Sequence, residues 1–212
     1  MSQRPADLVS IPADGVELEG SLTVPDGAPG LVVFAHGSGS SRKSPRNNYV
    51  ADVIHQRGLG TLLFDLLTER EDQIRENRFD IDLLTDRLVA VTAWLRSRAD
   101  TADLHLGYFG SSTGAASALR AAARRTDVDA VVSRGGRVDL ARNALDQVRS
   151  PTLFVVGGAD TEVLELNRDA LARLSCEKDL HVVEGAGHLF DAEHELQEVA
   201  DVAADWFADH LA

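Results

Sequence analysis

The chain has 212 residues, a net charge of −13 and an isoelectric point near 4.8. That acidity argues against nucleic acid or an anionic membrane as a partner and suits a solvated surface that keeps a protein in solution. Hydrophobic residues make up 44% and charged residues 26%, a soluble globular composition, and the length fits one α/β domain over residues 1–212 with room for a large core.

Residues 7–24 alternate around Asp14-Gly15, with Val9 and Ile11 before it and Val16, Leu18, Leu22 and Val24 after. Asp-Gly is a strong hairpin signal, so two antiparallel strands are expected. The turn-rich stretch Pro25-Asp26-Gly27-Ala28-Pro29-Gly30 follows. Beyond it come short apolar runs at Leu31–Ala35, Thr61–Phe64, Leu104–Phe109, Val128–Val132, Leu153–Val156 and Leu180–Val183. They lack polar alternation, as parallel strands covered on both faces do. Helical patterns separate them. Asn47–Arg57 stops at Gly58; Ile81, Leu84, Leu88, Val91 and Leu95 recur at three- and four-residue steps; so do Leu196, Val199, Ala203 and Trp206-Phe207. The expected fold is an eight-stranded, mostly parallel sheet with an N-terminal antiparallel hairpin and helices on both faces. The charged stretch Thr68–Arg78 is weakly patterned and is expected to be a surface loop that borders a site above the strand ends.

The segment Gly110-Ser111-Ser112-Thr113-Gly114 reads Gly-x-Ser-x-Gly between a strand and an Ala-rich helix. The glycines let strand and helix pass closely, so Ser112 is held in a strained turn with its hydroxyl exposed at a helix start. A serine hydroxyl needs a base, an acid to orient that base, and donors for the oxyanion. Candidates follow the strand ends in order: Asp160 in Gly157-Gly158-Ala159-Asp160, and His188 in Glu184-Gly185-Ala186-Gly187-His188. The order Ser, Asp, His is the one seen in α/β-hydrolases. His36-Gly37-Ser38-Gly39 follows the strand Leu31–Ala35, and the backbone N–H of Ser38 pairs with that of Thr113 as an oxyanion hole. Taken singly, each motif is weak; a loop histidine or a turn aspartate is common. Ser111 occupies the x position and should point away from the apex. His36 is expected to brace its turn. Asp191 lies nearer His188 in sequence, but Asp160 has the better strand context.

On these motifs the chain resembles the dienelactone-hydrolase-like group of α/β-hydrolases over essentially its whole length. The resemblance implies an α/β-hydrolase fold, Ser112, Asp160 and His188 as catalytic triad, and Ser38 and Thr113 as oxyanion donors. Dienelactone hydrolase itself uses a cysteine nucleophile, and this chain has serine there; the implied chemistry is therefore ester or acyl hydrolysis without dienelactone specified as substrate. Some similar sequences are fused to a phosphoribosyltransferase-like domain, of which these 212 residues show no part.

No cofactor or metal is expected: there is no Cys pair and no His-x-x-x-His. The single cysteine, Cys176, excludes an internal disulfide, reads as an ordinary thiol, and fits a reducing cytoplasm. Met1–Asp14 shows no signal-peptide pattern, and no stretch approaches the roughly 18 apolar residues of a membrane span. Basic loops at Ser40–Asn47 and Ser133–Arg137 emerge on the active-site face. Arg46 and Arg134 either hold an anionic part of the substrate or brace the loops by pairing with Asp65, Glu69 or Asp139. The short connection Gly136–Asp139, before a helical stretch, leaves no space for a large cap domain and points to an open site. The reading is a cytoplasmic serine hydrolase acting on a small ester, lactone or thioester. A peptidase on the same triad, a catalytically silent ligand-binding or regulatory module on the same scaffold, and cofactor-free haloperoxidase-type chemistry are the alternatives.

Overall fold

A computed structural model describes residues 6–212. The first five residues, part of the stretch read for a signal peptide, lie outside them. The chain runs β1 (Asp7–Ala13), β2 (Val16–Thr23), β3 (Gly30–Ala35), α1 (Pro45–Gln56), β4 (Gly60–Phe64), α2 (Glu69–Asp72), α3 (Ile81–Arg96), β5 (His105–Ser111), α4 (Thr113–Arg124), β6 (Ala130–Arg134), β7 (Thr152–Gly157), α5 (Thr161–Arg173), β8 (Lys178–Val183) and α6 (Glu193–His210). The eight strands form one sheet in the order β1-β2-β4-β3-β5-β6-β7-β8. β1 and β2 are antiparallel to each other, β2 is antiparallel to β4, and the remaining neighbours are parallel.

The hairpin forms at Asp14-Gly15, where both residues adopt positive φ, 47° and 81°. That is the backbone hand that closes a two-residue turn on twisted strands. In the parallel strands, successive side chains serve opposite layers. Leu31, Val33, Leu106, Tyr108 and Val131 pack beneath α3 and α4, with Leu84, Leu88, Val91 and Leu119. Val32, Phe34, Phe109, Val132 and Val155 pack beneath α1 and α6, with Val50, Ile54, Ala203 and Phe207. Both faces of the central strands are dry, which explains their continuous apolar runs. The buried Tyr108 hydroxyl is satisfied by Thr92 Oγ1 at 2.6 Å.

Three expectations shift. β6 spans Ala130–Arg134, two residues beyond the apolar run Val128–Val132, because its ladder with β5 continues to Ser111 opposite Arg134. It stops at Gly135, whose φ is 53°. The segment from Gly136 to β7 holds no α-helix, only 3-10 turns at Val138–Ala141 and Leu145–Gln147. Thr68–Arg78 is an ordered cap of turns, with α2 started by a reciprocal capping box between Thr68 and Glu71 and a 3-10 turn at Arg75–Phe79. No large cap domain covers the strand ends among the described residues, and no helix there is long and apolar enough to cross a membrane.

Candidate active site

Ser112 stands between β5 and α4 with φ 49° and ψ −119°. A side chain in that region is strained by roughly 1–3 kcal/mol, so the surroundings must hold it there. Two close approaches do so. A Cβ on Gly110 would lie 2.5 Å from Ala115 Cα, and one on Gly114 would lie 2.5 Å from His36 O. Only glycine lets α4 sit this close to β5 and to the end of β3. The turn is tied further by Ser112 N–H to Arg134 O at 3.1 Å and by Arg137 N–H to Ser112 O at 3.0 Å. Ser112 is the N-cap residue of α4, yet its side chain makes no capping bond. The hydroxyl is withheld from the helix and left on the partly exposed apex.

Asp160 repeats the pattern. It is the N-cap of α5 and its carboxylate does not cap that helix. Instead Asp160 Oδ2 accepts from His188 Nδ1 at 2.7 Å. A carboxylate only accepts, so Nδ1 carries the proton and Nε2 is the free nitrogen of the ring. Asp160 is mostly enclosed, with 16% side-chain exposure against 38% for His188. The carboxylate is therefore screened while the imidazole is partly exposed. Gly157 makes the crossing possible, since a Cβ there would lie 2.6 Å from Gly187 O. The His188 ring stands over Gly135, within 3.5 Å of where a Cβ of that residue would be. Gly135 follows Arg134, whose carbonyl holds Ser112, so His188 and Ser112 both lie against the Arg134-Gly135 turn. Ser112 Oγ makes no hydrogen bond to His188 in this structure; such bonds are often long before substrate binds.

The turn after β3, expected to supply an oxyanion donor, is arranged otherwise. His36 is buried, and burial pushes its pKa down. Its Nε2 accepts from Leu66 N–H at 3.0 Å, which places the proton on Nδ1, 2.9 Å from Gly37 O. His36 thus braces the turn after β3 as a neutral ring. Ser38 N–H, expected to face the substrate, donates to Thr113 Oγ1 at 2.9 Å. The two residues named as oxyanion donors are adjacent, but one donor is already engaged by the other's side chain. Thr113 N–H, at the first position of α4, has no acceptor within its helix. A cavity of about 260 Å³ opens beside Ser38, lined also by Gly39, Gln73, Arg75, Arg78 and Phe79.

The remaining candidates separate. Ser111 is buried, with its hydroxyl 3.4 Å from Asn47 Oδ1. Asp191 serves Arg46, at 2.5 Å, and not His188. Arg46 pairs with a carboxylate, though with none of the three named from the sequence; Asp65 instead pairs with Arg42 and Asp139 with Arg137. Arg134 has no carboxylate partner, and its Nη1 is fully buried without a hydrogen bond. The described residues hold no cluster of three or more His, Cys, Asp or Glu able to bind a metal. No local pattern announces the Ser38–Thr113 bond, whereas the capping box of α2 is readable as Thr-x-x-Glu.

Comparison with known proteins agrees with this architecture. Residues 18–211 match the model of the dienelactone hydrolase family. The crystal structure of dienelactone hydrolase from Anabaena variabilis superposes with a TM-score of 0.98 at 51% identity, covering 100% of both chains. Est1E from Butyrivibrio proteoclasticus, at 17% identity, shares the fold with a TM-score of 0.81 over 97% of this chain and 98% of its own. A Mycobacterium tuberculosis H37Rv protein named "Putative phosphoribosyl transferase" is 56% identical over 204 residues, which are 96% of this chain and 46% of that protein. The chain thus spans less than half the length of the curated relatives it matches. By its sequence match over 18–211 and its full-length structural likeness, the chain belongs to the dienelactone hydrolase family.

Proposed function

We propose that this protein is a serine hydrolase that cleaves a small ester, lactone or thioester through an acyl-enzyme. The reading rests on one observation above all: Asp160 and Ser112, both N-cap residues, withhold their side chains from their helices, and the Asp160 carboxylate grips His188 Nδ1 at 2.7 Å. His188 Nε2 takes the Ser112 proton as Oγ attacks the carbonyl carbon. Asp160 keeps the ring in that tautomer and stabilises the imidazolium. The oxyanion is received by Thr113 N–H and, once released from Thr113 Oγ1, by Ser38 N–H. His188 returns its proton to the leaving oxygen or sulfur. It then activates water to cleave the acyl-enzyme and restore Ser112. No cofactor or metal is invoked, and we place the reaction in the cytoplasm on the strength of the lone Cys176.

The phosphoribosyl transfer in the tuberculosis protein's name belongs to a chain more than twice the length of the match. Ser112→Ala is expected to abolish hydrolysis of a small activated ester while the fold persists. Full activity in that variant would overturn the mechanism. A fluorophosphonate probe separates enzyme from silent module: the enzyme labels at Ser112, the module does not.

A further inference from the structure

Asparagine is a poor helix former because its amide competes for backbone hydrogen bonds, and a buried amide is unfavourable unless both its ends are satisfied. Asn167 goes against both preferences. It lies within α5 and is fully buried. Its Nδ2 donates to Val163 O at 2.8 Å, one turn back in the helix, and to Gly136 O at 2.9 Å, outside it. Its Oδ1 is buried with no hydrogen-bond partner. Both acceptors are carbonyls, so the amide cannot turn over to satisfy that oxygen. Leucine or alanine would suit this stretch of helix better. What the amide adds is the bond to Gly136.

Gly136 belongs to the turn that Ser112 and His188 both lie against. Arg134 O accepts from Ser112 N–H at 3.1 Å and Arg137 N–H donates to Ser112 O at 3.0 Å, so the turn grips Ser112 from both sides of its peptide. Gly135 N–H donates to Val155 O of β7 at 2.8 Å. Gly136 is packed so closely that a Cβ there would lie 2.8 Å from Ala115 Cβ of α4. Among the described residues, Asn167 supplies the one side-chain hydrogen bond to the backbone of this turn. The same helix also carries Asp160. Asp160 is the N-cap of α5, and Asn167 follows it by close to two full turns, so the two lie along one side of the helix. At its start α5 meets His188 through Asp160 at 2.7 Å, and in its middle it meets the turn that grips Ser112. Ser112 follows β5 while Asp160 and His188 follow β7 and β8; α5 is a single rigid piece tied to both.

We propose that Asn167 is a positioning residue: through Gly136 it sets where Ser112 stands relative to the Asp160–His188 pair. It touches no substrate and moves no proton. This deepens the hydrolase reading and rests on it for the roles of Ser112 and His188. Without the bond, α5 and the turn part, and Ser112 Oγ leaves its line to His188 Nε2 while the surface that receives the ester is unaltered. A misplacement of about 1 Å between reacting groups costs on the order of 10²-fold in rate.

Asn167→Thr separates the two bonds of the amide. A threonine hydroxyl in a helix donates to the carbonyl four residues back, which keeps the partner of Val163 O, but it is too short to reach Gly136 O. Asn167→Ala removes both bonds. With p-nitrophenyl acetate we expect kcat to fall about tenfold or more in both variants with KM within about twofold of native, and labelling of Ser112 by a fluorophosphonate to slow in proportion. Amide hydrogen exchange reads the geometry without turnover: Ser112 N–H and Arg137 N–H should exchange about tenfold or more faster, while the amides of β3 and β7 keep their native rates. A merely structural asparagine gives a lower melting temperature, native kcat below it, and faster exchange along α5 that does not single out Ser112 and Arg137; that outcome overturns the proposal. So does either a native kcat or unchanged exchange at those two amides in folded Asn167→Thr. If Asn167→Ala fails to fold, Asn167→Thr decides alone. If the native protein neither hydrolyses the ester nor labels at Ser112, the hydrolase reading fails, and the exchange rates still decide whether Asn167 holds the turn: selective loss of protection upholds the tie, and its absence overturns it.

Discussion

The two sides of the site are held in different states. On the side built from β7 and β8, Asp160 and His188 are already joined at 2.7 Å and the imidazole tautomer is set. On the side built from β3 and α4, Ser38 N–H is engaged by Thr113 Oγ1 at 2.9 Å. In the mechanism we propose, the half that moves the proton is ready before substrate arrives, and the half that would stabilise charge is closed on itself. The difference teaches that preorganisation need not be uniform. A part-buried carboxylate–imidazole pair is already matched in charge and hydrogen bonding, whereas a backbone N–H at a loop must be satisfied by something while it waits.

Three experiments bear on this contrast. The largest effect is expected from Asp160→Asn, which leaves the shape but removes the charge that fixes the His188 tautomer; kcat should fall on the order of 10⁴-fold with little change in melting temperature. A loss below tenfold, measured by steady-state hydrolysis of an activated ester, would mean that His188 is oriented by something else. Next is Thr113→Val, which keeps the volume and deletes the acceptor of Ser38 N–H. Because Ser38 N–H must leave this bond before it can receive the oxyanion, kcat should rise by up to about tenfold with KM nearly constant, as befits one hydrogen bond. Thr113→Ser should keep the native rate. A fall in kcat would show instead that the bond positions the loop.

The smallest effect concerns pH. His36 is buried neutral, with its pKa lowered by desolvation while the Gly37 carbonyl opposes the shift. The unfolded chain takes up a proton on His36 near its ordinary value of about 6.5, and the folded protein does so only at lower pH. Its contribution is therefore complete above about pH 6.5 and is lost as pH falls toward the lowered folded value. Thermal melts from pH 7.5 to 5 should show this decline, with a shallower slope in His36→Gln. An identical slope would assign the acid sensitivity to other groups, such as His55, whose pKa is also lowered by burial.

Much of the fold was legible because its signals are local. Asp14-Gly15 announces a hairpin through backbone hand, and apolar runs without alternation announce covered parallel strands. The apex at Ser112 was legible because only glycines at 110 and 114 permit such contact. What escaped depends on distant partners. Nothing local to Thr113 says that its hydroxyl will meet Ser38, 75 residues earlier. Nothing local to Arg46 chooses Asp191 over Asp65. The helical stretch expected after Gly136 became 3-10 turns, because short local patterning does not decide between helix types in a connection packed against α4. The end of β6 was missed for the opposite reason: a polar Ser133-Arg134 pair reads as loop, and the ladder with β5 overrides it.

Ser112 at φ 49° and Asp160 off its own helix both have a consequence for how this protein responds to selection. Glycine at 112 would relax the backbone. A residue at 160 that turned to cap α5 would add about 1 kcal/mol. A library of variants sorted only for thermal resistance or expression yield should therefore drift toward these replacements and enrich inert proteins. Sorting the same library for turnover should hold both positions fixed, and the two enrichment maps, subtracted, would outline the site with no substrate structure at all.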